Sequence, residues 1–418
     1  MPTQDTPTHQ LEPRNGVLVV DGYGISLKIH NGHLTVEAGV GRNRSTRRFP
    51  RVHHGLSRIV LLGTTGYITL EAIRWLDDLN IPLIHLAADG SRPLATTTRT
   101  TTDNAKLRRA QALAHINGTA IAIARYLLGE KIAGQNTVAA RLGADGILDR
   151  HRAGLDEADS TEQLMVVEAE AARLYWDLWS GVPIRFTDDA SRRVPEHWTQ
   201  VGPRSSPLTT QRARHAATPA HAMLNYAYAL IEAEATVACH AVGLDPGLGV
   251  LHADKNGRDS LIHDLMEPIR PLADAHVLTL LRGEQFTRSD FVETRDGACR
   301  LNRRLTHELA TTTTTWAQQL GRLTERVARQ IADGNHAHVG AAVAPITGAS
   351  RKPTSGHADA RDAAYYRDVV YPAVREVTAA TIAQTTGLSI HYAVKIRSGK
   401  HMPHRRHWEA LRRTVYPV

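Results

Sequence analysis

Cysteine is nearly absent from this chain of 418 residues, and long apolar runs are absent too. The two cysteines, Cys239 and Cys299, have no CxxC spacing, so the sequence predicts neither a disulfide framework nor a cysteine zinc site. The longest apolar runs, such as 59–62 and 81–88, are far shorter than the ~20 residues that cross a bilayer. The first 15 residues are polar and lack the apolar segment of a signal peptide. We therefore expect a cytoplasmic protein with reduced thiols and no membrane contact.

Positively charged residues are only slightly in excess over negatively charged ones. The chain has 50 Lys plus Arg against 42 Asp plus Glu, which gives a formal net charge of +8. Residues 375–418 contain eight Lys or Arg and two acidic residues, so most of the excess lies in this C-terminal segment. This distribution predicts a nearly neutral globular body followed by a basic unit suited to a polyanionic partner. A solvated basic face is the alternative.

The N-terminal part, residues 16–95, is predicted to be rich in β-structure after a flexible tail over residues 1–15. Asn31-Gly32 lies between two β-branched and aliphatic runs, which is typical of a hairpin, so we expect a small antiparallel unit over 16–40. A basic loop with five arginines follows over 42–51, and its role stays open. Residues 58–90 predict strand, helix and strand, with Thr69 as the helix cap. The Thr-rich stretch 96–103 is predicted to be a linker.

The remainder of the chain is predicted to be helical. Apolar residues recur at helical spacing from residue 106 to residue 333, and a Gly/Ser/Pro-rich linker follows at 346–365. The predicted fold class is therefore multidomain α+β. It has an N-terminal β-rich domain at 16–95, an all-α catalytic domain at 96–345 and a helix-turn-helix domain at 366–418.

The helix-turn-helix prediction rests on the pattern of the C-terminal segment. Ile382 lies on the apolar face of a first helix, Gly387 supplies the turn and Ser389 caps a second helix, whose Val394 and Ile396 are expected to face the core. A small helical cap or dimerisation unit is the alternative. The residues predicted to contact DNA are His391, Tyr392, Lys395, Arg397, Lys400, Arg405 and Arg406.

Acidic residues and one histidine stand among apolar residues in the helical part. Glu168 lies within an apolar helix, His252 ends a glycine-rich loop, and Asp264 and Glu267 share one helix face at i, i+3. Carboxylates with one imidazole make an oxygen-rich site that suits Mn²⁺ or Mg²⁺ better than Zn²⁺. Surface charge and helix capping are the alternative, because acidic helices contain such pairs by chance.

Several of these segments, taken in order, resemble the CRISPR-associated endonuclease and integrase that acquires new spacers. The resemblance is carried by RIVLLGTTGYITLEAIRWLDDLNIPLIHLAADG, LRRAQ, EKIAGQN, VVEAEAARLYW, NYAYALIEAEA and GLDPGLGVLHADKNGRDSLIHDLMEPIRPLAD. It extends from about residue 16 to residue 333. The C-terminal helix-turn-helix departs from that family and is reminiscent of casposases, the related transposon integrases.

The resemblance implies roles for particular residues. Glu168, His252 and Glu267 match the family's ligands for Mn²⁺ or Mg²⁺, and Asp264 matches a second acidic position near the metal that we expect to take part in catalysis. Asn225 matches a family asparagine, which we interpret as a hydrogen-bonded buried amide rather than a catalytic group. Lys255 and Arg258 flank the histidine loop and are expected either to contact phosphate or to be solvated.

The implied function is a metal-dependent DNA endonuclease and integrase that inserts short DNA segments into a CRISPR array by attack of a 3′-OH on a phosphodiester, as part of antiviral defence. Its implied partners are DNA (duplex, branched or with single-stranded ends), a second copy of the chain and a small bridging protein. A standalone casposase-like integrase is one alternative. A non-catalytic DNA-binding scaffold protein is an alternative of another class.

Overall fold

A computed structural model of the chain describes residues 11–97, 104–187, 194–202, 216–252, 254, 256–295, 297–334, 365–403 and 407–415. The chain divides into two compact units, Met1–Thr347 and Gly348–Val418. The predicted linker 346–365 lies outside the described residues except for Tyr365. Leu11 is buried in the β-rich core and Arg14 pairs with Val17, so the predicted tail does not extend through residues 11–15. Within the described ranges, no helix combines the length and apolarity needed to cross a membrane.

The β-rich part of the first unit contains two four-stranded sheets. Its elements are β1 (Val17–Asp21), β2 (Ile25–His30), β3 (His33–Ala38), β4 (Ser45–Phe49), β5 (Arg58–Leu62), β6 (Gly66–Ile68), α1 (Leu70–Asp78), β7 (Leu83–Leu86) and β8 (Pro93–Thr97). The first sheet has the order β1-β5-β7-β8, parallel except for β8, and the second has the order β4-β3-β2-β6, antiparallel except for β6.

The predicted hairpin is confirmed. His30 pairs with His33, and Asn31 and Gly32 between them both have positive φ angles, of 49° and 76°. This geometry requires residues that tolerate the left-handed region, which is why Asn-Gly stands there. The prediction of one antiparallel unit over 16–40 is wrong for β1, because β1 pairs in parallel with β5 in the other sheet.

Residues 58–90 form the predicted strand, helix and strand, and the Thr69 side chain accepts a hydrogen bond from the Ala72 N–H at the start of α1. Two other predictions need correction. The basic stretch 42–51 contains β4, which pairs with β3, rather than being a loop throughout. Thr96 and Thr97 belong to β8 instead of the predicted linker, because threonine is a good strand residue, and 98–103 lie outside the described residues.

The first sheet is buried on both faces. Alternate residues point to opposite faces of a strand, so the same strands contribute to two cores. One face packs into the β-rich core through Leu18, Ile59 and Leu83. The opposite face packs into the core of the helical part through Val19, Val60 and Ile84. The β-rich and helical parts are therefore one packed unit that shares a sheet.

The helical part follows as α2 (Ala105–Leu113), α3 (Thr119–Arg141), α4 (Asp149–Glu157), α5 (Thr161–Trp179), α6 (Pro219–Val242), α7 (Ser260–Met266), α8 (Arg270–Gly283), α9 (Arg303–Ala310) and α10 (Thr313–Asp333). It also contains an antiparallel pair, β9 (Phe291–Glu293) with β10 (Cys299–Leu301), so the all-α prediction for 96–345 is wrong at this point. Helix α6 is buried over most of its length and forms the centre of the helical core.

The second unit is wholly helical over its described residues. It contains a π-helical turn (Tyr366–Val370), α11 (Tyr371–Glu376), α12 (Ala379–Thr386), α13 (Ile390–Arg397) and α14 (Trp408–Val415). Gly387 ends α12 with a φ of 70°, and the Ser389 side chain accepts a hydrogen bond from the Tyr392 N–H at the start of α13. The expectation for Val394 is wrong, because Ala393 and Ile396 face the core while Val394 is 52% exposed.

Candidate active site

Two of the predicted ligands share one cation. The ammonium of Lys131 on α3 contacts the Glu168 carboxylate on α5 and lies 2.6 Å from Oε2 of Glu267, which follows α7. Arg270, at the start of α8, contacts the other oxygen of Glu267 at 2.9 Å. Lys131 and Glu267 are buried, whereas the Glu168 side chain is 25% exposed. The fold thus brings Glu168 and Glu267 together around a positive charge.

The charge state of this cluster follows from its partners. Burial by itself raises the pKa of Glu267, but the charges of Lys131 and Arg270 outweigh burial and lower that pKa to about 2. Burial likewise opposes the charge of Lys131, and the two carboxylates outweigh it, so the lysine pKa is raised. At neutral pH Glu267 is therefore ionised, as are Lys131 and Arg270 beside it.

Asp264 organises the glycine-rich loop that carries His252. Its carboxylate is fully buried and accepts hydrogen bonds from three consecutive backbone N–H groups, those of Val250, Leu251 and His252, at 2.6, 3.0 and 3.0 Å. A side chain at Gly249 has no room, because its Cβ would lie 2.4 Å from the His252 carbonyl oxygen. The glycine at position 249 therefore lets the loop backbone close around the Asp264 carboxylate.

A second contact fixes the same loop to α2. The Gln111 side chain donates to the carbonyl oxygens of Asp245 and Leu248, both at 2.8 Å, and accepts from the Asp245 N–H at 2.9 Å. His115 Nε2 lies 2.9 Å from the Gly249 carbonyl oxygen. Gln111 of α2 and His115, which lies just after α2, thus hold the loop in place.

The orientation of His252 is set by Asp264. His252 Nδ1 lies 2.6 Å from Asp264 Oδ1, and because a carboxylate only accepts, Nδ1 carries the hydrogen. In the neutral ring the lone pair is then on Nε2, the arrangement in which histidine binds metals. Asp264 acts on the site through His252 and the loop backbone, since both of its oxygens are engaged there.

The carboxylate oxygens of Glu168 and Glu267 and the imidazole nitrogen of His252 are ligand types that suit a hard divalent cation. Glu168 and Glu267 already hold one cation between them, and the Asp264 contact leaves the Nε2 of His252 as a nitrogen donor. In the part of the chain that the structure describes, no three Asp, Glu, His or Cys side chains form a group able to hold a metal ion. Of the predicted trio, Glu168 and Glu267 meet around Lys131, whereas His252 pairs with Asp264, which is not one of the three.

A cavity of about 890 Å³ opens beside His252. Four arginines line it, against two acidic residues, Asp89 and Glu232. The arginines are Arg92 from the β-rich part, Arg258 and Arg270 from the segments around α7, and Arg300 from β10. Asn225 also lines the cavity and is half-buried. A cavity with excess arginine is suited to a polyanion.

The predicted DNA-contacting residues have different positions. His391, Arg397 and Lys400 are exposed, and Lys395 is half-buried. Tyr392 is also half-buried, packs against the core of the second unit and has its ring 5.5 Å from that of His401. Lys255, Arg405 and Arg406 lie outside the described residues.

Several residues of the site were missed by sequence reasoning. Lys131 stands on the buried stripe of α3 with Leu127 and Gln135, four residues before and after it, and a lysine in a buried stripe is itself a signal. Asp274 stands in the same way on the buried face of α8, where it accepts hydrogen bonds from the hydroxyl groups of Tyr175 and Tyr228. Charged residues at apolar positions of these helices would have identified both.

Comparison with known proteins shows which family the chain resembles. Residues 18–314 match the family model described as CRISPR associated protein Cas1. The chain is 30% identical over 314 residues to CRISPR-associated endonuclease Cas1 1 of Archaeoglobus fulgidus, which covers 68% of this chain and 83% of the relative. It is 32% identical over 284 residues to CRISPR-associated endonuclease Cas1 3 of Thermus thermophilus, which covers 66% of this chain and 77% of the relative.

Solved structures have the same fold. A casposase bound to integration product superposes with a TM-score of 0.64 at 24% identity, over 76% of this chain and 91% of that one. A CAS1 protein from Thermotoga maritima superposes with a TM-score of 0.56 at 18% identity, over 74% of this chain and 96% of that one. With the family model spanning most of the first unit, the chain belongs to the Cas1 family of CRISPR-associated proteins and is an enzyme of this endonuclease family.

Proposed function

We propose that this chain is a divalent-metal-dependent DNA endonuclease and integrase that inserts short DNA segments into a CRISPR array by strand transfer. The observation that carries the proposal is the convergence of Glu168 and Glu267 on one cation, close to a histidine held by Asp264 and beside an arginine-lined cavity. Acidic ligands beside phosphate-binding arginines are the arrangement that phosphodiester chemistry needs.

The residues that would hold the metal are Glu168, His252 and Glu267, and Mn²⁺ or Mg²⁺ fits their two carboxylates and one imidazole. When bound, such an ion supplies charge stabilisation at a phosphodiester and lowers the pKa of a coordinated hydroxyl. Lys131 contacts both carboxylates in the structure, so it competes with a metal ion for them.

The protein's own groups hold the DNA and orient the site. Arg258 and Arg270 line the cavity and would bind phosphate oxygens, with Asp264 fixing the orientation of His252. In strand transfer the 3′-oxygen of one DNA end forms a bond to a target phosphorus. The target's own P–O3′ bond breaks; the proton of the attacking hydroxyl passes to solvent, and the leaving 3′-oxygen takes one up to become a new 3′-OH. One phosphodiester replaces another, so no external energy source is needed.

The test is integration of a short duplex into supercoiled plasmid in the presence of Mn²⁺. We expect Glu168→Ala and His252→Ala to abolish integration. Glu170→Ala is the matched control, because Glu170 lies on the same helix and its side chain is 60% exposed. Full activity of Glu168→Ala, or equal loss in Glu170→Ala, would contradict the assignment of the site. Absence of metal-dependent cleavage on branched, duplex and single-stranded DNA would favour the non-catalytic scaffold.

The structure of the second unit gives the alternative of a standalone, casposase-like integrase a specific basis, because a helix-turn-helix lets one chain choose its own DNA site. A chain that serves a CRISPR array is expected to need a small bridging protein and to act as a homodimer. The same plasmid assay with and without that partner separates the two, since efficient, site-selective integration by the chain alone would favour the standalone enzyme.

A further inference from the structure

The second helix of the helix-turn-helix exposes two apolar side chains. Ile390 is 55% exposed and Val394 is 52% exposed, whereas Ala393 and Ile396 on the same helix, α13, are fully buried. Residues four apart lie one above the other on a helix, so Ile390 and Val394 form one apolar stripe. Arg397, seven residues after Ile390, extends that stripe by a further turn and is exposed.

The surroundings of this stripe are basic. Residues 377–403 contain Lys395, Arg397 and Lys400 and no Asp or Glu. Lys400 and His391 of the same segment are exposed. A flanking field of one sign suits a polyanion and repels a second copy of the same surface. Two side chains also offer far less area than the ~1,200 Å² that a stable protein interface buries.

We propose that Ile390 and Val394 read thymine, by packing against the 5-methyl groups that this base presents in the major groove. The inference rests on the proposed DNA-binding role of the second unit and names what that unit recognises. The start of the second helix is the part of a helix-turn-helix that reaches base edges, and Ile390 is the first residue of α13. Thymine presents a methyl group in that groove, and apolar side chains contact it there.

The spacing of the two side chains limits the length of the DNA motif that they can contact. Residues four apart are separated by ~6 Å along a helix axis, and successive base pairs are ~3.4 Å apart, so the pair reaches thymines within about two base-pair steps. Arg397 lies one turn beyond Val394, where its guanidinium reaches a guanine edge or a phosphate. The preferred site is therefore a short thymine-containing motif bordered by a contact to arginine.

The test begins with selection of duplexes from a random pool by the full-length chain in EDTA, which prevents cleavage. Deoxyuridine, which pairs like thymidine but lacks the methyl group, then replaces each thymidine of the selected motif. We expect binding to weaken about threefold to fivefold for each contacted methyl removed, from the value of a buried methyl group. In the Ile390→Ala/Val394→Ala variant, the thymidine and deoxyuridine duplexes should bind equally.

Two further variants make the outcome specific. Met402→Ala removes another exposed apolar side chain of the same unit, 40% exposed, and should keep the full deoxyuridine effect. Arg397→Ala should weaken binding to both duplexes, and it should also keep the full deoxyuridine effect. If deoxyuridine has no effect on the wild type while Arg397→Ala weakens binding, the thymine inference is overturned and the DNA-binding role stands. If neither the deoxyuridine replacement nor Arg397→Ala changes binding, the DNA-binding role itself fails. Concentration-dependent dimerisation that is lost in the double variant would assign the stripe to a second copy instead.

Discussion

At the scale of single residues, Asp264 holds in place both His252 and the loop that carries it. One carboxylate accepts three backbone hydrogen bonds and holds His252 by a fourth. It is fully buried, so no water replaces a lost acceptor. Sequence reasoning placed this residue near the metal and expected it to be catalytic. Its contacts show that it positions His252, and its part in catalysis stays a prediction.

We expect Asp264→Asn to destabilise the first unit by about 2–4 kcal/mol, because the amide presents donors to backbone N–H groups that need an acceptor. The measurement is urea denaturation followed by tryptophan fluorescence in a Trp408→Phe background, so that the remaining tryptophans all report on the first unit. Asp254→Asn is the control, since exposed Asp254 accepts one hydrogen bond from the same loop, from the Gly249 N–H. Equal stability of the two variants would contradict this role.

Asp274 is a second buried carboxylate, with an unusual pKa. Burial raises its pKa from 3.8 to about 6, and the hydrogen bonds from Tyr228 and Tyr175 only partly oppose that rise. The folded state therefore binds a proton more tightly than the unfolded state. The resulting stabilisation is fully present below about pH 4 and is lost as the pH rises through about 6.

We accordingly predict that the free energy of unfolding of wild type, relative to Asp274→Asn, falls by about 2–3 kcal/mol between pH 4 and pH 7. The asparagine does not titrate, so subtracting its curve removes the contributions of other groups. The measurement is urea denaturation at a series of pH values. Asp77→Asn, on the exposed surface of α1, should show no such difference. A pH-independent difference for Asp274→Asn would refute the raised pKa.

At the scale of elements, a buried ion pair joins the β-rich and helical parts. Arg58 on β5 contacts Glu234 on α6, and both side chains are at least nine-tenths buried. Burial raises the pKa of Glu234 and Arg58 opposes the rise. The pair lies where the shared sheet meets the central helix, so a lone charge left there has no access to water.

Glu234→Ala is therefore expected to destabilise the chain by about 3–5 kcal/mol, because it leaves the arginine buried and unpaired. The double variant Arg58→Met/Glu234→Met should recover most of that loss, since two apolar side chains of similar size fill the same space. Both are measured by urea denaturation. A double variant no more stable than Glu234→Ala would show that the pair has a role beyond mutual neutralisation.

The elements also show where sequence patterns succeed. Asn31-Gly32, Thr69, Gly387 and Ser389 act through local backbone geometry, so their turns and caps could be predicted from neighbours in the sequence. The pairing of β1 with β5 depends on residues about 40 positions apart, which no local pattern encodes. Val394 was misassigned because alternation of Val394 and Ile396 is a strand period, whereas α13 buries Ala393 and Ile396 at a helical period.

For the candidate site too, sequence patterns identify residues, whereas long-range packing decides how they are arranged. The identities of Glu168, His252 and Glu267 came from motif order, and each lies near the active-site cavity or the lysine cluster. The presence of Lys131 between two of them could not be derived, because it depends on how α3 packs against α5 and the end of α7. Long-range packing therefore decides how the recognised residues are arranged.

At the scale of the whole molecule, positive charge is more concentrated than the composition suggests. In the β-rich part Arg44, Arg47 and Arg51 of the basic stretch contact Glu37, Glu12 and Asp78. Their charges are thereby neutralised locally, which leaves the C-terminal segment with most of the excess. The sequence of this segment therefore holds most of the chain's positive excess.

Deletion of residues 349–418 is therefore predicted to weaken DNA binding and to flatten its dependence on salt. Each phosphate contact removed should reduce the slope of log affinity against log salt by about 0.9 on duplex DNA. The measurement is a titration of a labelled duplex at several salt concentrations in EDTA. Circular dichroism checks that the shortened chain stays folded, and an unchanged slope would exclude the segment from the DNA interface.

The sheet shared by the two cores has a consequence for how this protein can be divided. A fragment beginning at α2 would lose the strands that cover one side of the helical core, and a fragment ending at β8 would present the bare opposite face of the same strands to water. Neither piece is self-sufficient, although the chain reads as a β-rich domain followed by a helical one. Gene fusions and truncations should therefore keep the span from Leu11 to the end of α10 in one piece, because both cores lie within it.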